Sequence, residues 1–494
     1  MPKREVDVPE VLNGVWEAMT ATLEELTRTI GRTGGGKAVD YGAVEDRIAE
    51  RARRIEGASH QAILQKLDID VPAVVIGGER YIRVGRCEAP YHTLAGSVSV
   101  ERSLYRRAGA RGGTREGRVV DPVSLRAGVV GDGWLPHTAQ AMAHAGQQGT
   151  SREAETQAAE WGRLPYSRSS FERVTHLVGA LTVAAHQDIE DVLIDAYEVP
   201  ADARSVSVSL DRVSVPMEEP RPRPVGRPRK DAPKRPVVRN FRMAYCGTVT
   251  LHDEQGAALH TIRYGCMPEG DLPGLRNRLV ADVATLLSKR PRLQIQLLCD
   301  GAPEMWSLLQ EGFTREKFGD RLHELVDLYH LMEKLAPAAH LLDGDSAAKT
   351  LGAWKLALLN RPHAATQIQM ELVLSGKEHV TVGKAQPVHA AMTYLTSHSE
   401  DADRMNYARA RRLGLPLGSG NVEATCKSLF ELRLKRCGAR WKTDTGEHIV
   451  YLRALALSDR WGPAIQLTLR PLRQAVCSSS SEGKGKAEPG NQIR

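Results

Sequence analysis

The order of strand-like and helix-like stretches from residue 205 onward is the feature that most restricts how this chain folds. "SVSVSLDRVSVPM" (205–217) alternates apolar and polar residues at period two, the mark of a β-strand. "FRMAYCGTVTLHD" and "GAALHTIRYGC" are two further strands, joined as a hairpin around Glu254, Gln255 and Gly256. "GLRNRLVADVATLLSKR" then has the spacing of an amphipathic helix, and "LQIQLLCD" returns to a short apolar run that suits a buried strand. A helix over 303–312, a short strand-like "HELVDLYH" and a long helical region from 331 to about 410 follow.

Three antiparallel strands followed by β/α alternation is the element order of an RNase H-like core, a mixed five-stranded sheet. Doubly wound dinucleotide folds start instead with parallel β-α-β units. The fold class is therefore α/β, with an all-α insertion in the core and helical and small-β DNA-binding regions before it. The expected organisation is a helical region (1–70), a small β-unit (71–130) and a helix-turn-helix-like region (131–200). The first part of the core follows (201–335), interrupted by a basic loop (218–240). The all-α insertion (336–415), the last part of the core (416–465) and a disordered tail (466–494) complete the chain.

Two carboxylates sit where this order brings strand ends together. Asp211 is expected at the end of the first strand of the set and Asp300 at the end of the fourth. These strands are neighbours in an RNase H-like sheet, so the carboxylates would emerge side by side. Paired carboxylates repel, and each tends to keep its proton unless a cation intervenes. Carboxylate oxygens are what Mg²⁺ takes, and two such ions can activate an attacking oxygen and stabilise a leaving one in phosphoryl transfer. An Asp-Gly after a strand is also an ordinary turn or helix cap. A third carboxylate should come from a later helix. Glu423, in the first turn after Gly418-Ser419-Gly420, is the choice. Spacing alone does not separate it from Glu431, Asp401 or Asp403, because Glu423, Lys427, Glu431 and Lys435 also form an ordinary i,i+4 charged stripe.

At this point "SLDRVSVPM", "LLCDGAPEMWSLL", "ELVDLYHLMEKLAPAA" and "GSGNVEATCKSLFELRLKRCGARWKT" with "TGEHI" resemble, in order, bacterial insertion-sequence transposases of the ISKra4 family. These are DDE-class enzymes with an RNase H-like core, and the resemblance covers residues 80 to 465. It implies a catalytic and metal-binding triad of Asp211, Asp300 and Glu423 with two Mg²⁺ (or Mn²⁺) ions. It also implies a C/D-x-x-H motif, matched by Asp327 and His330. Asp320 and His323 match it too, but apolar neighbours place the second copy on a short buried strand. His330 would then touch the scissile phosphate or the non-transferred strand, or be structural. Arg433, Arg436, Arg440 and Trp441 look like family features that contact phosphate.

The implied activity is cutting at an element's terminal inverted repeats and joining of the 3′-hydroxyls to target DNA, by at least a dimer. An RNase H-like nuclease without joining, or an inactive DNA-binding relic, are the alternatives. The partner is double-stranded DNA in either case, and the setting is the cytoplasm, at the bacterial nucleoid.

Charge and composition agree with a polyanion partner. Formal charge is +7, and residues 218–240 carry eight basic residues against three acidic. Within them "VGRPRK" has the Gly-Arg-Pro core of an AT-hook, making Arg227, Arg229 and Lys230 candidates for minor-groove contact. "TSREAETQAAEWG" opens with a capping box, and Arg168 and Arg173 begin the helix after it, as in a helix-turn-helix. Seven scattered Cys without a C-x-x-C pair argue for a reducing compartment and against a Cys-rich zinc site. No apolar run is long enough for a membrane span. "GRTGGGKA" nearly spells a P-loop but has Ala38 where the Mg²⁺-binding hydroxyl belongs, so it reads as a Gly linker.

Overall fold

The computed structural model describes residues 8–33, 36, 38–114, 117–219, 238–375, 387–399 and 403–478. The chain divides into two compact units. One runs to Ala185 and takes up the chain again from Ile465; the other is His186–Ala464.

In the first unit, two helices, Asn13–Thr33 and Tyr41–Leu67, precede three antiparallel strands, β1 (Ala73–Ile76), β2 (Glu79–Thr93) and β3 (Gly96–Arg107). Tyr91, Val100 and Val123 pack with Leu64 of the second helix to form its core. Val476–Ser478 adds a fourth strand against β1. Residues 466–478 were expected in a disordered tail. They are ordered instead, because the helix Trp461–Leu469 and the turn Arg470–Leu472 occupy their first part and Val476 joins Val74, Ile76 and Tyr105 in a buried cluster. Helix Ser151–Glu160 starts with the expected capping box, Thr150 and Glu153 reciprocating, and Arg168–Ala184 follows after a short turn. The Gly-rich stretch 31–38 begins inside the first helix; its residues 34, 35 and 37 lie outside the described residues.

The second unit is built on a five-stranded mixed sheet. Its strands are β4 (Ser205–Met217), β5 (Asn240–His252), β6 (Ala258–Cys266), β7 (Gln294–Cys299) and β8 (Leu322–Val326), in the spatial order β6-β5-β4-β7-β8. β4, β5 and β6 are antiparallel neighbours, whereas β7 and β8 run parallel to β4. Alternation along β7 separates two cores. Ile295, Leu297 and Cys299 join the cluster under helices Leu272–Lys289 and Pro303–Gly312. Leu298 and, on β8, Leu325 join a cluster made by helices Leu328–Asp343, Ala347–Asn360, Ala364–Ser375 and Pro387–Ser399. A third cluster packs Val213, Val215 and Cys246 against Val422, Leu429 and Phe430 of the late helices.

One local expectation is corrected. Asp327 and His330 do not lie on the strand: β8 stops at Val326, Asp327 caps the helix Leu328–Asp343, and His330 stands in its first turn. The apolar residues 325–329 continue the burial of the strand, but an Asp that satisfies the orphan N–H groups of the next residues starts a helix. Residues 220–237 of the basic loop, among them Arg227, Arg229 and Lys230, lie outside the described residues.

Candidate active site

The parallel pairing of β4 with β7 sets the two aspartates. Val208 lies opposite Leu297, so the same register carried on (208 to 211, 297 to 300) brings Asp211 abreast of Asp300. Cys299 lies opposite Val326 on β8, so one residue further Asp300 is abreast of Asp327. Asp300 and Asp327 thus follow the ends of β7 and β8, whereas Asp211, expected at the end of its strand, stands in the middle of β4, which runs on to Met217 paired with β5; it is level with the carboxyl ends of the two parallel strands, where open α/β sheets bind their ligands.

Asp211 and Asp300 keep oxygens for a ligand. Asp211 Oδ2 accepts a hydrogen bond from the Cys426 thiol at 3.3 Å, a weak and displaceable donor. Asp300 Oδ1 accepts from Ala302 N at 3.0 Å, and Tyr394 donates to the Asp300 carbonyl at 2.7 Å, fixing the backbone at the strand tip. The Cys299 thiol bonds the Leu210 carbonyl, tying together the residues just before the two aspartates. Burial pushes that thiol up to about 12; the Leu210 hydrogen bond opposes the rise and the charges of Asp300 and Asp211 add to it. The Cys426 thiol is also raised, first by its hydrogen bond with Cys246, then by burial and by Asp211. Cys246 is the cross-strand partner of Asp211.

Asp327 is different. It is 1% exposed, and its oxygens are already engaged: Oδ1 by the N–H groups of Tyr329 and His330 at 2.6 and 3.0 Å, Oδ2 by Ser419 N and by Ser419 Oγ at 2.6 Å. Leu328 N also bonds the Leu417 carbonyl. The aspartate therefore clamps the Gly-Ser-Gly turn that launches Glu423 onto the end of β8.

Glu423 sits in the short helix Gly420–Thr425, one turn before Cys426. Its Oε1 pairs with His330 Nε2 at 3.0 Å and accepts from Ser419 Oγ at 3.4 Å. Burial would lower the His330 pKa, but Asp327, Glu423 and Glu333 together carry it above its ordinary value. Among the described residues, Asp327, His330 and Glu423 form the trio whose potential ligand atoms all lie within 4.8 Å of one another. Asp211 and Asp300 are not part of that trio. With both Asp327 oxygens spent on N–H and O–H donors, the trio is a hydrogen-bonded brace for Glu423 rather than a vacant cation cage.

The remaining candidates divide by exposure. Arg433 is buried, with its guanidinium 5.1 Å from the Trp441 ring centre, and Trp441 Nε1 donates to the Leu434 carbonyl. Both serve packing at this site. Arg436 and Arg440 are exposed, the latter 3.4 Å from Glu219. Arg168 and Arg173 are exposed on their helix in the first unit.

Several contributors are not evident from sequence reasoning. Tyr394 reaches Asp300 from 94 residues away. Ser419 receives Asp327, although the Gly-Ser-Gly turn around it was a visible signal. Glu304 joins Arg212 at 2.5 Å and Tyr245 at 2.5 Å, bracing the helix after Asp300 against the strands bearing Asp211 and Cys246.

No family model matches the chain, and no curated protein matches it. Two solved structures show a partial likeness. One is a Mos1 transposase paired-end complex with left transposon end, 12% identical over 57% of this chain and 79% of that one, with a TM-score of 0.15. The other is a pre-cleavage Mos1 transpososome, 10% identical over 82% of this chain and 98% of that one, with a TM-score of 0.14. Similarity at that level carries no argument about fold or function, and the site's own geometry has to supply it.

Proposed function

We propose that the chain is a DDE-class DNA transposase with an RNase H-like core, cutting DNA and joining the 3′-hydroxyl ends to a target by metal-dependent phosphoryl transfer. The observation that carries the reading is the pair Asp211 and Asp300, abreast on parallel neighbours where β7 ends and β4 runs on, with Cys426, just after the Glu423 helix, donating to Asp211. The strand order β6-β5-β4-β7-β8, with three antiparallel strands and two parallel ones, supports the core assignment. So do the ISKra4-like motifs, which fall on the structural joints of that site.

The donor set fits a hard divalent cation. Among the described residues Asp300 Oδ2 accepts no hydrogen bond, and Asp211 Oδ2 has only a thiol donor. Asp211 and Asp300 would hold Mg²⁺ or Mn²⁺, with Glu423 the third carboxylate of the set. The bound ions would supply Lewis-acid stabilisation of attacking and leaving oxygens. The protein's own part is positional. Tyr394 and the Ala302 N–H fix Asp300, Asp327 and Ser419 fix the turn before Glu423, and His330 holds the Glu423 carboxylate.

Asp300→Asn removes a ligand charge with little change of shape. It should abolish cleavage and joining of an end-labelled duplex while DNA binding persists. Strand transfer by a pure Asp300→Asn preparation would overturn the assignment, and hydrolysis without joining of a pre-cut end by the wild type would reduce it to a nuclease.

A further inference from the structure

The first long helix, Asn13–Thr33, carries two apolar faces. One packs along the second helix, Tyr41–Leu67, with Glu25 3.8 Å from Arg51 and with Val15, Ala18 and Thr22 half-buried. The other faces water. Leu12, Trp16, Met19, Leu23 and Ile30 are all exposed, Leu23 to 64%. With half-buried Leu26 they follow one another at intervals of four, three, four, three and four residues. That is the a/d repeat of a coiled-coil seam, kept along a helix about 31 Å long. Scattered apolar side chains on a surface need no explanation, but a contiguous row of them marks an interaction surface.

The residues beside the row narrow down what covers it. Its flanks are Thr20, Thr22, Thr27 and Thr29, all uncharged. Two identical helices can therefore meet there without like charges facing each other. Further round the helix, Glu17, Glu24 and Glu25 are the nearest acidic groups. They repel a phosphate backbone or an anionic lipid surface, which basic helices attract. Thr20, Leu23, Glu24 and Thr27 stand at i, i+3, i+4 and i+7 beside an open groove of about 450 Å³. Four residues so placed form a hole that takes one knob of a facing helix, and a second copy brings its knobs at the matching spacing. The rows of two copies would together take on the order of 1,000 Å² out of water, the lower bound of a specific interface.

We infer that this face is a dimer seam: two copies of the chain pair through their Asn13–Thr33 helices about a two-fold axis, with no DNA present. Trp16, Met19 and Leu23 form its centre. The inference does not rest on the transposase reading, because neither the five-stranded sheet nor its carboxylates take part.

The test is the mass of the full chain, 54.2 kDa per copy, by sedimentation equilibrium in buffer free of DNA and divalent metal. The expected result is a monomer–dimer equilibrium with a dissociation constant on the order of 1 µM or below. It should persist in about 0.5 M salt, since the seam contains no ion pairs. Met19→Glu/Leu23→Glu puts four carboxylates into the seam and should raise the dissociation constant by about a hundredfold or more. Leu23→Gln keeps a good helix former and should raise it about tenfold, which guards against a melted helix in the first variant. Leu356→Glu/Met370→Glu, at exposed apolar positions of the second unit, should leave it unchanged. A wild type that stays monomeric overturns the seam and leaves the face to a different protein. A dimer that survives in both seam variants, or that dissociates in the second-unit variant or in salt, places the contact elsewhere and overturns it as well. None of these outcomes touches the assignment of Asp211 and Asp300.

Discussion

Gly301 shows how tightly single residues determine this site. Its φ is +92°, and a Cβ there would lie 2.7 Å from Tyr394 Oη and 2.8 Å from His398 Nε2. Both the backbone and the space demand glycine. Gly301→Ala should destabilise the chain by about 1–3 kcal/mol in denaturant titration, and should lower cleavage further by moving Asp300 away from Tyr394. His252, at the opposite end of the β4–β5 pair, makes a separate prediction. It is 1% exposed, with Nδ1 on the Gly256 carbonyl at 3.1 Å and Nε2 on Ser207 Oγ at 2.8 Å. Burial lowers its pKa to about 4, against the opposing effects of the Gly256 carbonyl and Asp253. The unfolded chain therefore binds this proton more readily. The contribution of neutral His252 is complete above pH 6.5 and is lost as pH falls toward 4, in total about 3 kcal/mol. His252→Gln should flatten that part of the stability–pH curve, measured by urea unfolding between pH 4 and 7.

Among elements, the Asp327 clamp joins β8, the helix Leu328–Asp343 and the turn before Glu423. Asp327→Ala leaves the N–H groups of Tyr329, His330 and Ser419 without their acceptor at once. A loss of about 3 kcal/mol is expected from charge-assisted hydrogen bonds of this kind. Ser419→Ala removes one hydroxyl donor and should cost about 1 kcal/mol. Because the two share one bond, the double variant should cost less than the sum, a coupling that a double-mutant cycle in denaturant reads directly. Additive losses would mean that Asp327 and Ser419 do not act together. The clamp also explains the brace on Glu423, since Gly418 packs so closely on Tyr329 that a Cβ there would come within 2.7 Å of the ring.

For the whole molecule, the predicted cation is a stability term as well as a catalytic one. A ligand that binds only the folded chain stabilises it by about 2.7 kcal/mol at a hundred times its dissociation constant. Mg²⁺ should therefore raise the thermal midpoint of the wild type, EDTA should reverse the rise, and Asp211→Asn should abolish it. An equal rise in Asp211→Asn would move the cation away from the sheet edge.

The sequence by itself determined the local elements, because alternation, helical spacing and capping are short-range effects of side-chain placement. The strands carrying Asp211 and Asp300, the hairpin between them, the capping box at Thr150 and the Gly-Ser-Gly turn before Glu423 were all legible. It also offered the acidic residues as candidates by their chemistry, with the ISKra4-like motifs choosing among them. It misread Asp327 and His330, because a buried apolar run looks alike as a strand end and as a first helical turn, and only the hydrogen bonds of Asp327 decide between them. The tertiary structure alone decided what lies beside what. Parallel pairing of β4 with β7 brings residues 89 positions apart into register, and Tyr394 reaches the aspartates from the helix Pro387–Ser399, Ser419 and Cys426 from the two ends of the helix Gly420–Thr425. Strand order and helix packing are long-range compromises of burial and hydrogen bonding over the whole second unit, and no window of sequence contains them.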